Sequence, residues 1–284
     1  MLQWPFGSAP VPERAPQGQA DLAPPPLVGR EDELRLLRKA LKTITSPDFS
    51  RAAAAAHAIF VAGSAGVGKT RLLRELADEA ARQGVAVLWG GAYESGLLPP
   101  YLPFTEALRP YLRSRSNDEL RQLLGLSSEG KALPNLGLQC LARLFPQIAA
   151  LLDPVSLQDL LTPEQEKFGL LDGMATLLER ITTSPAPAGG VAGATPPGQP
   201  LLLCLDDLQW ADSASLELVL YLTTRLRSAR LLLLGAFRSD ALAATLPNPQ
   251  GQTGAGSALA RAIAELNRQR LFTLLLLGPL SEGA

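Results

Sequence analysis

Residues 58–71 read AIFVAGSAGVGKTR, and this stretch limits what the chain can fold into more than any other. Ala58 to Ala62 are apolar or small and suit a short strand buried in a sheet. Gly63, Ser64, Ala65, Gly66, Val67, Gly68, Lys69 and Thr70 then match G-x-x-x-x-G-K-[ST] at every fixed position. A helical pattern follows at once. Leu72, Leu73, Leu76, Ala77 and Ala80 share one face, and Arg74, Glu75, Asp78 and Arg82 fall largely on the other. Strand, glycine loop and helix stand in the order a phosphate-binding loop requires.

The chemistry of the loop follows from its residue types. Glycines allow a tight turn and bring backbone N–H groups up to phosphate oxygens. A helix starting near Gly68 points its positive end at the same phosphates. Lys69 offers an ammonium to β- and γ-phosphates, and the Thr70 hydroxyl is a ligand for Mg²⁺. Arg71 is the next residue and falls within the same reach.

The chain has 284 residues, enough for one large α/β domain or one domain with an insertion. Its 26 Lys+Arg balance 27 Asp+Glu, which gives no support for a nucleic-acid-binding surface. Two cysteines, Cys140 and Cys204, form no disulfide framework or zinc spacing. Cys204 lies in an apolar run and reads as a small buried hydrophobe. A reducing cytoplasmic location is expected, and no apolar run reaches the roughly 18–20 residues of a membrane span.

Taken in order, residues 1–26 are rich in Pro, Gly, Ala and Gln and read as a disordered or polyproline-like leader. LVGREDELRLLRKAL then opens the domain expected over 27–284. Gly29 permits a turn, Glu31, Asp32 and Glu33 suit a first helical turn, and Leu34, Leu37 and Leu41 form its apolar stripe. His57, the sole histidine, reads as structural. Gly84 ends the P-loop helix and Val85 to Trp89 reads as a second strand.

Residues 92–160 show no long strand pattern and read as a helical insertion, its helices broken by Pro103, Pro110 and Gly125. LQCLARLFPQIAALL reads as one further helix of that insertion. Thr162-Pro163-Glu164-Gln165 carries the signature of a capped helix start, continued to about Thr183. Residues 184–200 are Pro/Gly/Ala-rich and read as a flexible loop.

Leu201 to Leu205 are continuously apolar, as in a central parallel strand, and end at Asp206-Asp207. An apolar strand tipped by acids downstream of a P-loop is the Walker B pattern. Asp206 would hold Mg²⁺ and Asp207 would orient or deprotonate an attacking water. In isolation the same residues are simply two acids at a strand end. Leu231 to Phe237 forms another buried strand with Arg238 just past it, either a γ-phosphate sensor or a surface arginine. Asp212 and Ser257 cap two later helices, and Leu271 to Leu277 is the last strand.

LVGRE, GSAGVGKTRLLREL, LLLCLDDLQWAD and LLLLGAFRSD occur together and in this order. With them the chain resembles the AAA-type ATPase module of the STAND class of signalling ATPases. Such modules occur in large bacterial LuxR-type transcriptional regulators and in some multidomain cyclases and kinases. The resemblance implies a P-loop NTPase of ASCE/AAA-like type, with five parallel strands flanked by helices. It implies that Val28, Gly29 and Arg30 lie near the adenine, and that Lys69 and Thr70 hold phosphate and Mg²⁺. Asp206 becomes the Mg²⁺ acid and Arg238 the sensor.

Family members cycle between a closed ADP state and an assembled ATP state, so ATP or ADP, Mg²⁺ and self-association in the ATP state are the implied partners. Family members also continue into a helical lid, helical repeats and an effector domain. None is expected within this sequence, so those parts would act in cis or in trans. AAA motors usually carry Asp-Glu where this chain has Asp206-Asp207. The shorter carboxylate reaches water less well, and a misplacement of about 1 Å can cost about 100-fold in rate. The sequence therefore points to a slow regulatory switch in signal transduction, with a processive motor or a non-catalytic scaffold as rival readings.

Overall fold

Five apolar runs become five parallel strands: β1 Ala58–Gly63, β2 Ala86–Gly91, β3 Leu201–Asp206, β4 Leu231–Arg238 and β5 Thr273–Leu277. They lie side by side in the order β2-β3-β4-β1-β5. The strand carrying the glycine loop and the strand tipped by acids are thus separated by β4. The computed structural model describes residues 27–46, 49, 58–94, 98–126, 135–152, 161–183, 198–243 and 257–280. The leader over 1–26, His57 and most of the 184–200 loop lie outside the described residues.

Parallel neighbours need crossovers, which here are helical. Helices α1 Glu31–Thr45 and α2 Lys69–Arg82 cover one face of the sheet. The other described helices are α3 Leu102–Arg113, α4 Asn117–Leu124, α5 Leu136–Leu144, α6 Pro146–Ala149, α7 Pro163–Thr183, α8 Ser213–Arg225, α9 Asp240–Ala243 and α10 Ala258–Arg268. Of these, α3, α8 and α10 contribute to the core on the opposite face, which α4 to α7 extend. No described helix is long and apolar enough to cross a membrane.

The central strands divide their side chains with period two. Ile59, Val61, Leu202, Cys204, Leu232 and Leu234 face α1 and α2. Phe60, Leu201, Leu203, Leu205, Leu231, Leu233 and Phe237 face the other layer. Burial on both faces explains their unbroken apolar sequence. Gly235 stands opposite Phe60, where an added Cβ would come within 2.3 Å of the Phe60 ring. Strand β5 is at the edge and shorter than the run Leu271–Leu277. Its alternate residues Leu274 and Leu276 are exposed, the latter by 66%.

Local signals set most helix ends. Thr162 and Gln165 exchange hydrogen bonds in a capping box, and the Asp212 and Ser257 side chains accept the N–H groups of Ser215 and Ala260. Two expectations are corrected. Helix α3 is not broken by its prolines. Pro103 occupies the first turn, where no N–H is needed, and Pro110 lies on the exposed side. A mid-helix proline costs about 3 kcal/mol. Burial of Phe104, Leu108 and Leu112 offsets it at about 1.5–3 kcal/mol each. Conversely, LQCLARLFPQIAALL splits into α5 and α6, because Pro146 holds Phe145 extended (φ −125°, ψ 101°).

Candidate functional site

The carboxyl ends of β1, β3 and β4 meet in one cleft of about 700 Å³. Register places Gly63, the last residue of β1, beside Arg238, the last residue of β4. Ala65, Gly66, Gly68, Lys69, Thr70 and Arg71 line one wall, and Asp207, Gln209, Trp210 and Arg238 another. Gly68 caps α2 in the left-handed region at φ 102°, a conformation that favours glycine. The first-turn N–H groups of α2 have no intrahelical partner and open toward this cleft.

Lys69 is buried, and its ammonium donates to the carbonyls of Gly63 (3.1 Å) and Ser64 (2.8 Å). Burial pushes its pKa down, while the carboxylates of Asp207 and Asp206 oppose that shift. Asp206 is only 6% exposed. Burial raises its pKa, against a hydrogen bond from the Thr70 hydroxyl. Thr70 and Asp206, far apart in sequence, therefore share a hydrogen bond at the base of the cleft. A buried cation and a buried anion sit here without bonding each other directly, each held by neutral partners.

Asp207 adopts a left-handed backbone (φ 55°, ψ 38°) where β3 turns into a short 3-10 segment, Leu208–Trp210. Gln209 donates from Nε2 to Asp207 Oδ1 (2.8 Å) and accepts the backbone N–H of Arg238 (3.0 Å). The Arg238 guanidinium is partly exposed and forms a forked ion pair with Asp240. Beyond β2, Glu94 reaches the cleft. Beside it the Tyr93 hydroxyl donates to Glu106 (2.7 Å), an interaction that, with burial, pushes the Tyr93 pKa up to about 12.

The expected site residues are thus brought together in part. The loop from Ala65 to Arg71, with Asp207 and Arg238, frames the cleft, except that Val67 turns away from it. Asp206 lies beneath Thr70, Gly63 is buried at the strand end, and Ser64 is exposed. Val28, Gly29 and Arg30 do not line the cleft. Arg30 is buried behind the loop and donates to Val67 O (3.2 Å), Gly278 O (2.6 Å) and Glu33 (3.1 Å). The contributions of Gln209, Trp210, Glu94 and Arg74 to the cleft were not foreseen. The first two stand inside DDLQWAD, and Glu94 follows the tip of β2, where the rule for ligands beyond strand ends points.

Residues 26–234 match the family described as the AAA ATPase domain. Among solved structures, the replication initiator DnaA bound to AMPPCP and single-stranded DNA is similar at 14% identity and TM-score 0.36, over 89% of this chain and 47% of that one. AMPPCP-bound DnaA from Aquifex aeolicus is similar at 15% identity and TM-score 0.36, over 88% of this chain and 46% of that one. The chain spans about half the length of these structures. No curated protein sequence matches it. The family match extends over most of the chain and includes the glycine loop, both acids and the first half of β4, so the chain belongs to the AAA ATPase domain family.

Proposed function

We propose that this chain is a Mg-ATP-binding, slowly hydrolysing regulatory ATPase module that works as a nucleotide-dependent switch within a STAND-type signalling protein. The observation that carries the reading is the meeting of Thr70 and Asp206, with Lys69, Asp207 and Arg238 at the same cleft. This donor set fits a nucleotide triphosphate with its metal. Among the described residues no group of three or more His, Cys, Asp or Glu forms a metal cage. Mg²⁺ needs none, because it is held by one or two carboxylates together with substrate phosphates.

In this reading the α2 N-terminus and Lys69 bind the β- and γ-phosphates. Thr70 and Asp206 would hold Mg²⁺, which would supply neutralisation of the charge developing on the phosphates. Asp207 orients the attacking water and Arg238 contacts the γ-phosphate after leaving Asp240. Arg30 meets Val67 on the far side of the loop, and we assign the adenine side to that region with Val28 and Gly29. The short Asp207 carboxylate supports a switch over a motor. ATP-dependent self-association, output through effector and helical-repeat domains, transcription regulation and a cytoplasmic setting belong to the same proposal.

The test is the nucleotide carried by the purified protein, released by denaturation and quantified by chromatography beside Lys69→Ala. Near-stoichiometric ADP, absent from the variant, is expected. Protein that stays empty even with added ATP and Mg²⁺ would overturn the reading. Steady turnover should stay below about 1 s⁻¹, the low end of typical enzyme rates, and faster turnover would favour a motor.

A further inference from the structure

We infer that Gln209 is a positioning residue for hydrolysis, fixing the Asp207 carboxylate from the tip of β4. The inference rests on the ATPase reading above and extends it to a residue whose side chain joins two strand tips. Asp207 leaves β3 in a left-handed conformation, which strains a residue other than glycine. Three hydrogen bonds hold it there. Its N–H donates to Asp206 Oδ1 (3.0 Å), its carbonyl accepts the Trp210 N–H (2.9 Å), and its Oδ1 accepts Gln209 Nε2 (2.8 Å). Only the last of these acts on the end of the side chain.

The orientation of the Gln209 amide is forced. One end faces the backbone N–H of Arg238, which can only donate, so the amide oxygen must lie there; the NH₂ end then faces Oδ1 of the Asp207 carboxylate, which accepts. A flipped amide would turn both contacts repulsive. The Gln209 carbonyl is therefore locked onto β4, and its NH₂ must address Asp207. Oδ1 of Asp207 is engaged, so Oδ2 is the oxygen left for water.

In the hydrolytic step the water oxygen bonds to the terminal phosphorus, and the bond from that phosphorus to the bridging oxygen of the departing ADP breaks. The water proton passes to Asp207 Oδ2. Without the amide, the Asp207 carboxylate is free to rotate away from this geometry. Gln209 lines the cleft but forms no hydrogen bond with Lys69, Thr70 or Asp206, so its loss should lower the hydrolytic rate more than the nucleotide affinity.

The experiment compares wild type, Gln209→Met and Gln209→Glu. Methionine has similar length and forms no such bonds; glutamate keeps an acceptor for the Arg238 N–H and places a second negative charge against Asp207. The measurements are the dissociation constant of Mg-ATP, single-turnover hydrolysis and the melting temperature. The expected result is a rate lowered by about 10–100-fold, the scale of a misplaced group, a loss clearly larger than any loss of affinity. A rate loss below tenfold in either folded variant overturns the inference. So does a rate loss matched by lost affinity, the mark of a merely structural role. If the methionine variant fails to fold, the glutamate variant decides. Wild type that binds ATP without turning it over overturns this inference but not nucleotide binding, whereas wild type that neither binds nor hydrolyses ATP overturns both.

Discussion

The centres of β3 and β4 and the tips of the same strands follow opposite rules. At the centres, Leu203, Cys204, Leu233 and Leu234 are buried and apolar, and every second residue serves the same face. At the tips, within a few residues, stand a buried carboxylate at Asp206, a left-handed backbone at Asp207 and a solvent-facing ion pair at Arg238. Lys69 adds a buried ammonium next to them. Burial opposes the charged forms of both Lys69 and Asp206, so both weaken the nucleotide-free protein. The difference teaches that the centres are arranged for stability and the tips for a ligand of complementary charge.

The comparison breaks most visibly at a central residue. Phe60 is fully buried, lies opposite Gly235 and makes an edge contact with Phe272. Phe60→Ala should lose about 3–5 kcal/mol of stability in denaturant unfolding, without a selective effect on the cleft. A loss under about 1 kcal/mol would show that the centre is not tightly packed.

Arg30 is a buried charge of another kind, one that joins the loop, β5 and α1 through its hydrogen bonds. Arg30→Met should cost about 1–3 kcal/mol, because the carbonyls of Gly278 and Val67 lose a charged donor. Hydrogen exchange should quicken in β5 and the loop. Unchanged exchange there would remove its anchoring role.

The smallest effect has the opposite sign. The raised pKa of Asp206 means that the folded protein holds this proton more tightly than the unfolded chain. Its contribution is present below the ordinary carboxylate pKa and is lost as pH rises through the raised value. Nucleotide-free Asp206→Asn should therefore melt slightly higher than wild type at neutral pH, the gap closing on acidification, while Mg²⁺ dependence of nucleotide binding disappears. A variant less stable at neutral pH would show that the Thr70 hydrogen bond outweighs burial.

What the sequence makes legible is local. The glycine loop needs positive φ at fixed positions, and the central strands need apolar residues on both faces, so both are written in adjacent residues. Helix starts at Thr162, Asp212 and Ser257 were readable for the same reason. Relations across the fold were not. Arg30 bonds Gly278, 248 positions away, so its place behind the loop depends on β5 pairing beside β1. Gln209 is visible in DDLQWAD, but its bond to the backbone of Arg238 exists only because β4 lies next to β3. Pro110 by propensity alone signals a break, and the buried face of α3 overrides it.

The central claim is that Lys69 is retained at a cost in stability because it binds phosphate. Melting temperature measured for wild type and Lys69→Ala, each with and without saturating Mg-ADP, tests it most directly. The account expects the nucleotide-free variant to melt no lower than wild type. Mg-ADP at 100 times its dissociation constant should stabilise wild type by about 2.7 kcal/mol and leave the variant unmoved. Equal stabilisation of both proteins, or a variant that is unfolded without nucleotide, would contradict it.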